Sequence, residues 1–188
     1  MTSVARALFA VCFLAVIGLP QPSPAVGQVL LTQDEALRLA FPEPAEIERR
    51  TAFLDQADVD RVAELAGSEP PRTLVTYYVG RSGDGPLGVA YFDVHRVRTL
   101  PELLMIVVTP AGRVTRIEIL RFAEPREYMA PGGWLEQFTQ RGLTGDLVNK
   151  NAVAGITGAT LTSRAVTDAV RRVLALHEIL DPLDGRAP

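Results

Sequence analysis

The chain has one cysteine, two histidines, one tryptophan and a single lysine in 188 residues. Cys12 is the lone cysteine and sits in an apolar N-terminal run, so a disulfide within the chain, a thiolate metal site and a downstream cysteine nucleophile are all excluded. His95 and His177 are too few for a multi-histidine zinc or haem site, and no metal is expected. No basic stripe with interleaved aromatics is present. With 19 Lys and Arg against 22 Asp and Glu the net charge is −3, which argues against a nucleic-acid partner. Repeats and low-complexity linkers are also missing, and the length suits one domain with its own core.

Residues 7–19 form an apolar run that falls short of the roughly 20 residues needed to cross a bilayer. Arg6 precedes it, Pro20 follows, and Ser23-Pro24-Ala25 offers small residues for cleavage, the layout of an export signal. Cleavage after Ala25 is expected, with retention of the run as an anchor as the alternative. The expected destination is the periplasm or the outer face of the cytoplasmic membrane. The expected divisions are a signal peptide at 1–25, a helical and strand lead-in at 26–72, a core at 73–180 and a tail at 181–188.

Thr32 and Glu35 have capping-box spacing ahead of a short helix that ends before Pro42. Residues 46–54 are read as a strand. Residues 55–67 are read as a helix, because Val59, Val62, Ala63 and Ala66 recur at helical spacing and Gly67 can end it. Strands at 73–80 and 87–94 flank a turn cluster at 81–86. Further strands at 103–109 and 114–120 flank the Pro110-Ala111-Gly112-Arg113 turn, whose brevity demands antiparallel pairing. A short helix carries Trp134, Leu135 and Phe138 on one face. The last helix is expected to start at Thr162 or Ser163 and run to about residue 180. Val166, Ala169, Val170, Val173, Leu174 and His177 form its apolar face; Arg164, Asp168, Arg171 and Arg172 form its solvent face. The fold class is α+β: a twisted, mainly antiparallel sheet with flanking helices in a single domain.

Thr157-Gly158-Ala159-Thr160-Leu161-Thr162-Ser163 stands out just before that helix, and reads as a strand-to-helix corner. A helix start presents unpaired N–H groups and about half a positive charge, which favour a phosphate. Gly158 and Ala159 leave the backbone open, and Thr157 and Thr160 supply hydroxyl donors. An ordinary N-cap from Thr160 or Thr162 accounts for the same residues.

The run also resembles, at all six positions, the flavinylation motif Ser/Thr-Gly-Ala-Thr-x-Ser/Thr of the FMN-binding domain family. The resemblance extends loosely over residues 73–180, through the Pro110 turn, Glu124-Pro125-Arg126-Glu127-Tyr128 and Trp134-Leu135-Glu136-Gln137-Phe138. It implies FMN carried covalently by a phosphoester on Thr162, attached by a separate flavin transferase that uses FAD. The remaining cofactor-binding residues are then Thr157, Gly158, Ala159, Thr160 and Leu161. One departure is Ala154, where many members have Asp three residues before the motif.

The implied function is an exported electron carrier, not a stand-alone enzyme, that exchanges electrons with a membrane or periplasmic redox partner. The alternative is an FMN-binding sensor or accessory module of a membrane redox complex. Tyr128 and Met129 are candidates for contact with the flavin ring, and Arg164 either reaches the phosphate or pairs with Asp168. Glu124, Glu127 and Glu136 read as surface charge, and His95 as a strand-end residue.

Overall fold

A computed structural model describes residues 28–43, 45–143, 147 and 152–183; the expected signal segment at 1–25 and the part of the expected tail past residue 183 lie outside the described residues. The elements, in order, are β1 (Gln28–Val29), α1 (Gln33–Ala40), β2 (Glu46–Phe53), α2 (Gln56–Ala66), β3 (Leu74–Ser82) and β4 (Gly85–Arg96). They continue with β5 (Pro101–Val108), β6 (Val114–Phe122), α3 (Gly132–Leu135) and α4 (Thr160–Leu180), with 3-10 turns at Arg126–Tyr128 and Glu136–Phe138. All strands join one antiparallel sheet in the order β1-β6-β5-β4-β3-β2, so the architecture is α+β in a single domain.

Local chemistry explains most boundaries. Thr32 and Glu35 form the full capping box at the start of α1, and Asp55 caps α2 through the Asp58 N–H. Gly67 ends α2 at φ +58°, a left-handed conformation that glycine adopts without strain. The expected turn at 81–86 is narrower than its composition suggests. Strand pairing runs through Arg81↔Pro86 and Ser82↔Gly85, leaving Gly83 and Asp84 to turn the chain. Pro86 is tolerated in β4 because a register shift at Gly80/Arg81 loosens the ladder there.

Alternation along the strands divides the interior in two. One face packs Tyr77, Val79, Tyr91, Leu104, Ile106 and their neighbours against α2, α4 and the Trp134–Phe138 segment. The other packs Ala90, Met105, Val107 and Leu120 under α1 and Phe41, whose ring lies on Gly80 so closely that a Cβ there would meet it at 2.3 Å.

Helix α4 is longer and more enclosed than its pattern implies. It begins at Thr160, and its N-cap is Ala159 with no side-chain cap bond, so neither Thr160 nor Thr162 caps it. No strand leads into it among the described residues: 152–159 are bends and a turn closed by Ala159 N–H donating to Ile156 O (3.0 Å). Arg171 and Arg172 are not on a solvent face; both are buried. Arg171 Nε donates to Ala66 O (2.6 Å) at the carbonyl end of α2, and Arg172 forms a two-pronged bond to Asp93 of β4 (2.9 Å each). Helical periodicity assigned these arginines outward, but long stems fill apolar space while their heads find carbonyl and carboxylate partners.

Arg171→Ala removes the donor from Ala66 O and Leu65 O and leaves the stem's space empty. The expected loss is about 2–3 kcal/mol, measurable as a lower urea midpoint at unchanged slope.

Candidate functional site

The start of α4 has the features of an anion cradle. Its 21 residues align into a macrodipole, and no side chain occupies its first-turn N–H groups at the N-cap. Gly158 lies at φ +81°, with nothing within 4 Å of where a Cβ would stand, and Gly155 is equally open. Thr157, Gly158, Thr160 and Leu161 are exposed, whereas Ala159 and Thr162 are buried. The motif therefore offers two exposed hydroxyls and an open backbone to a phosphate, which fits the group that the motif implies.

Thr162 points away from that opening. It is only 1% exposed, and its Oγ1 donates to Tyr128 O at 2.6 Å. Because the entire side chain is enclosed, a rotamer change alone does not bring the hydroxyl to solvent. Tyr128 belongs to the 3-10 turn Arg126–Tyr128, and the Arg98 guanidinium stacks over its ring at 4.9 Å. Glu124, read from the sequence as solvated, is buried and accepts from the N–H groups of Thr99 (2.7 Å) and Leu100 (2.9 Å). It ties this turn to the β4–β5 connection, while Glu127 and Glu136 are exposed as expected.

The segment before the motif is held from the other side. Trp134 Nε1 donates to Ala154 O (2.6 Å), and Ala154 N–H donates to Gln137 Oε1 (3.1 Å). Trp134 and Phe138 are core residues in edge-to-face contact, at 5.3 Å between centroids. Position 154, where the chain departs from the family pattern, thus contributes its backbone to a two-sided clamp.

A cleft of about 510 Å³ runs along the flank of α4, bordered by Leu161, Arg164, Ala165, Arg72, Val94 and Arg96. A buried charge network links the helix to the sheet beneath it. Arg172 holds Asp93; Asp93 bonds His95 Nδ1 (2.9 Å); His95 Nε2 bonds Glu102 (3.0 Å). Only an imidazolium can donate from both nitrogens. Burial works against that charge, but the bonds to Asp93 and Glu102 prevail and lift the His95 pKa to about 9. Sequence reasoning missed this network, whose only trace was the alternation of Asp93 and His95 on one strand face. His177 behaves oppositely: burial alone lowers its pKa to about 4, and its Nδ1 lies 3.0 Å from the Tyr91 hydroxyl.

The model of the FMN-binding domain family matches residues 102–175, from β5 through most of α4. The chain is also similar to one component of the Na(+)-translocating ferredoxin:NAD(+) oxidoreductase complex of Acetobacterium woodii. Identity is 28% over 166 residues, covering 79% of this chain and 75% of that relative. The family resemblance drawn from the motif therefore holds.

The two histidines set opposite pH limits on stability. The folded pKa of His95, about 9, exceeds its ordinary 6.5, so its contribution is complete below pH 6.5 and is lost as pH rises through 9. The folded value of His177, about 4, is depressed, so its contribution is complete above pH 6.5 and is lost as pH falls through 4. Chemical denaturation across pH is expected to peak near pH 6.5 and decline by up to about 3 kcal/mol on each side. His95→Gln should flatten the alkaline limb alone, and His177→Gln the acid limb alone.

Proposed function

With an FMN-binding domain at residues 102–175, we propose that this chain is an exported electron-transfer flavoprotein holding FMN through a phosphoester to Thr162. The observation that carries this reading is the uncapped, open start of a 21-residue helix coinciding with the complete six-position motif. The relative's place in a ferredoxin:NAD(+) oxidoreductase complex supports exchange of electrons with a membrane redox system. Export through residues 1–25, cleavage after Ala25, a lead-in at 26–72, a core at 73–180 and a tail at 181–188 belong to the same reading.

A flavin bound only by noncovalent contacts is lost by dilution outside the cytoplasm, and a phosphoester prevents that loss. FMN supplies reversible electron transfer when bound, and attachment at its phosphate leaves the ring chemically unaltered. The remaining negative charge lies at the positive end of α4, worth roughly 0.3–1 kcal/mol, with the hydroxyls of Thr157 and Thr160 as further donors.

Attachment is a phosphoryl transfer from FAD. The Thr162 oxygen bonds to the FMN phosphorus, the bond to AMP breaks, and the hydroxyl proton passes to the transferase. Since Thr162 is enclosed under Tyr128 O, the 3-10 turn must part from α4 before the transferase can reach it. In the product the hydroxyl proton is gone, and Tyr128 O gives up this donor.

Coexpression with a flavin transferase should add the mass of FMN less one water to the wild-type chain and to Thr160→Ala, but nothing to Thr162→Ala. An unmodified wild type, or covalent FMN on Thr162→Ala, overturns the attachment. Removing the stack on Tyr128 by Arg98→Ala should speed transfer about two- to fivefold, read as the initial rate of flavin fluorescence on the denatured chain.

A further inference from the structure

Large apolar side chains that are exposed among the described residues are not scattered evenly. Five of the eight, Val29, Phe53, Leu74, Val94 and Leu161, gather at one end of the molecule and are 47–68% exposed. Strand register places them there. Phe53 pairs with Leu74, Val94 pairs with Leu103, Val29 pairs with Arg121, and Arg96↔Pro101 closes β4 onto β5. Leu161, in the first turn of α4, borders the same cleft as Val94.

Cations surround this apolar set. Arg72, Arg96 and Arg164 line the cleft, Arg121 pairs with Val29 and Arg98 lies on the β4–β5 connection, all exposed. The acids there are the exposed Asp55, Glu69 and Glu127 and the half-buried Asp168 of the cleft, against five exposed arginines, so the end has an excess of positive charge in a chain whose net charge is −3. Gln28 of β1 pairs with Phe122 at this same end.

We propose that this end of the molecule seats on an anionic phospholipid surface. Phe53, Leu74, Val94 and Leu161 enter the boundary between headgroups and acyl chains, and the arginines meet the lipid phosphates. The apolar residues stand on four different elements and border two separate clefts, Leu74 and Val94 at one and Val94 and Leu161 at the other, so that they spread across the end of the molecule instead of closing on a single pocket. That arrangement suits a fluid surface better than the concave face of a protein partner. This seating does not depend on a flavin, but it brings the start of α4 down to the membrane.

The test uses the chain from residue 26 onward, which has no cysteine, with a fluorophore on Val94→Cys, or on Phe53→Cys should the first variant misfold. Leu87→Cys, at the opposite end of β4, is the control. Vesicles contain phosphatidylglycerol and phosphatidylcholine with nitroxide-bearing lipid; phosphatidylcholine alone is the comparison. Lipid quenching at position 94 should exceed that at 87 about threefold or more on the anionic vesicles only, and should fall at high salt and in Arg96→Glu/Arg164→Glu. Equal quenching at 94 and 87, or protection of 94 that appears only when another protein is present in the vesicles, overturns the proposal.

Discussion

Everything at the candidate site depends on two adjacent buried arginines near the middle of α4. Arg171 reaches the last carbonyls of α2, and Arg172 grips Asp93 on β4, so a single turn of helix is locked to a neighbouring helix and to the sheet together. Neither bond tolerates a slide of α4 along its axis, because a shift of one residue moves a side chain by about 1.5 Å and around the helix by about 100°. The far end is held as well, by Arg50 donating to Pro182 O at 3.0 Å. A motif at the first turn of such a helix has a fixed position relative to the sheet without ligands of its own. The cost is buried charge, which is acceptable only because each guanidinium has partners and Asp93 is shared with His95.

The same rigidity explains why Thr162 is enclosed. Residue 162 lies one turn before Val166 and two before Ala169, the row that faces the core, so its side chain follows that row inward. Thr160 and Leu161 fall on the outward arc of the same turn. A helix that began three residues later, at Ser163, would have left Thr162 at the cap, with its hydroxyl outside the buried row. Ala159 supplies no competing cap, so the N–H groups remain open while the proposed nucleophile is covered. On the proposed attachment, binding of a phosphate and reaction at Thr162 call for different arrangements of one short stretch, and with α4 locked by its arginines the contact that has to open is the one from Thr162 to Tyr128 O.

Where local rules act alone, the fold was legible in the sequence. The capping box at Thr32, the Asp55-to-Gly67 helix and the strand pairs each follow from side chains within a few residues of one another. The motif was legible as well, because its residues are contiguous. What escaped reading depends on contacts between distant segments. Arg171 meets residues 105 and 106 positions away, Arg172 meets Asp93 79 away, and Glu124 turns back to Thr99. Periodicity assigns any arginine to solvent, and only the three-dimensional neighbour reverses that. The start of α4 was misplaced for a related reason. Thr is a common cap, so Thr162 drew the boundary to itself, whereas packing of Ala159 set it earlier.

The polarity of the molecule links these points. The β4–β5 connection, Gln28 of β1, the Tyr128 turn and the start of α4 all lie at one end of the sheet. Glu124 joins the first and third of these, and Arg98 stacks on Tyr128 from the same connection. Whatever presses on that end acts directly on the contacts that cover Thr162. The opposite end, where Gly83 and Asp84 turn the chain and Ala111 and Gly112 do the same between β5 and β6, reaches only the segment ahead of the motif, through Arg141, which accepts from Val114 N–H and donates to Ala152 O at 3.1 Å. On the proposed function, a carrier that exchanges electrons at short range benefits from having the motif, its exposed apolar residues and its cations at one pole, because orientation then brings the reacting groups together without a separate docking domain.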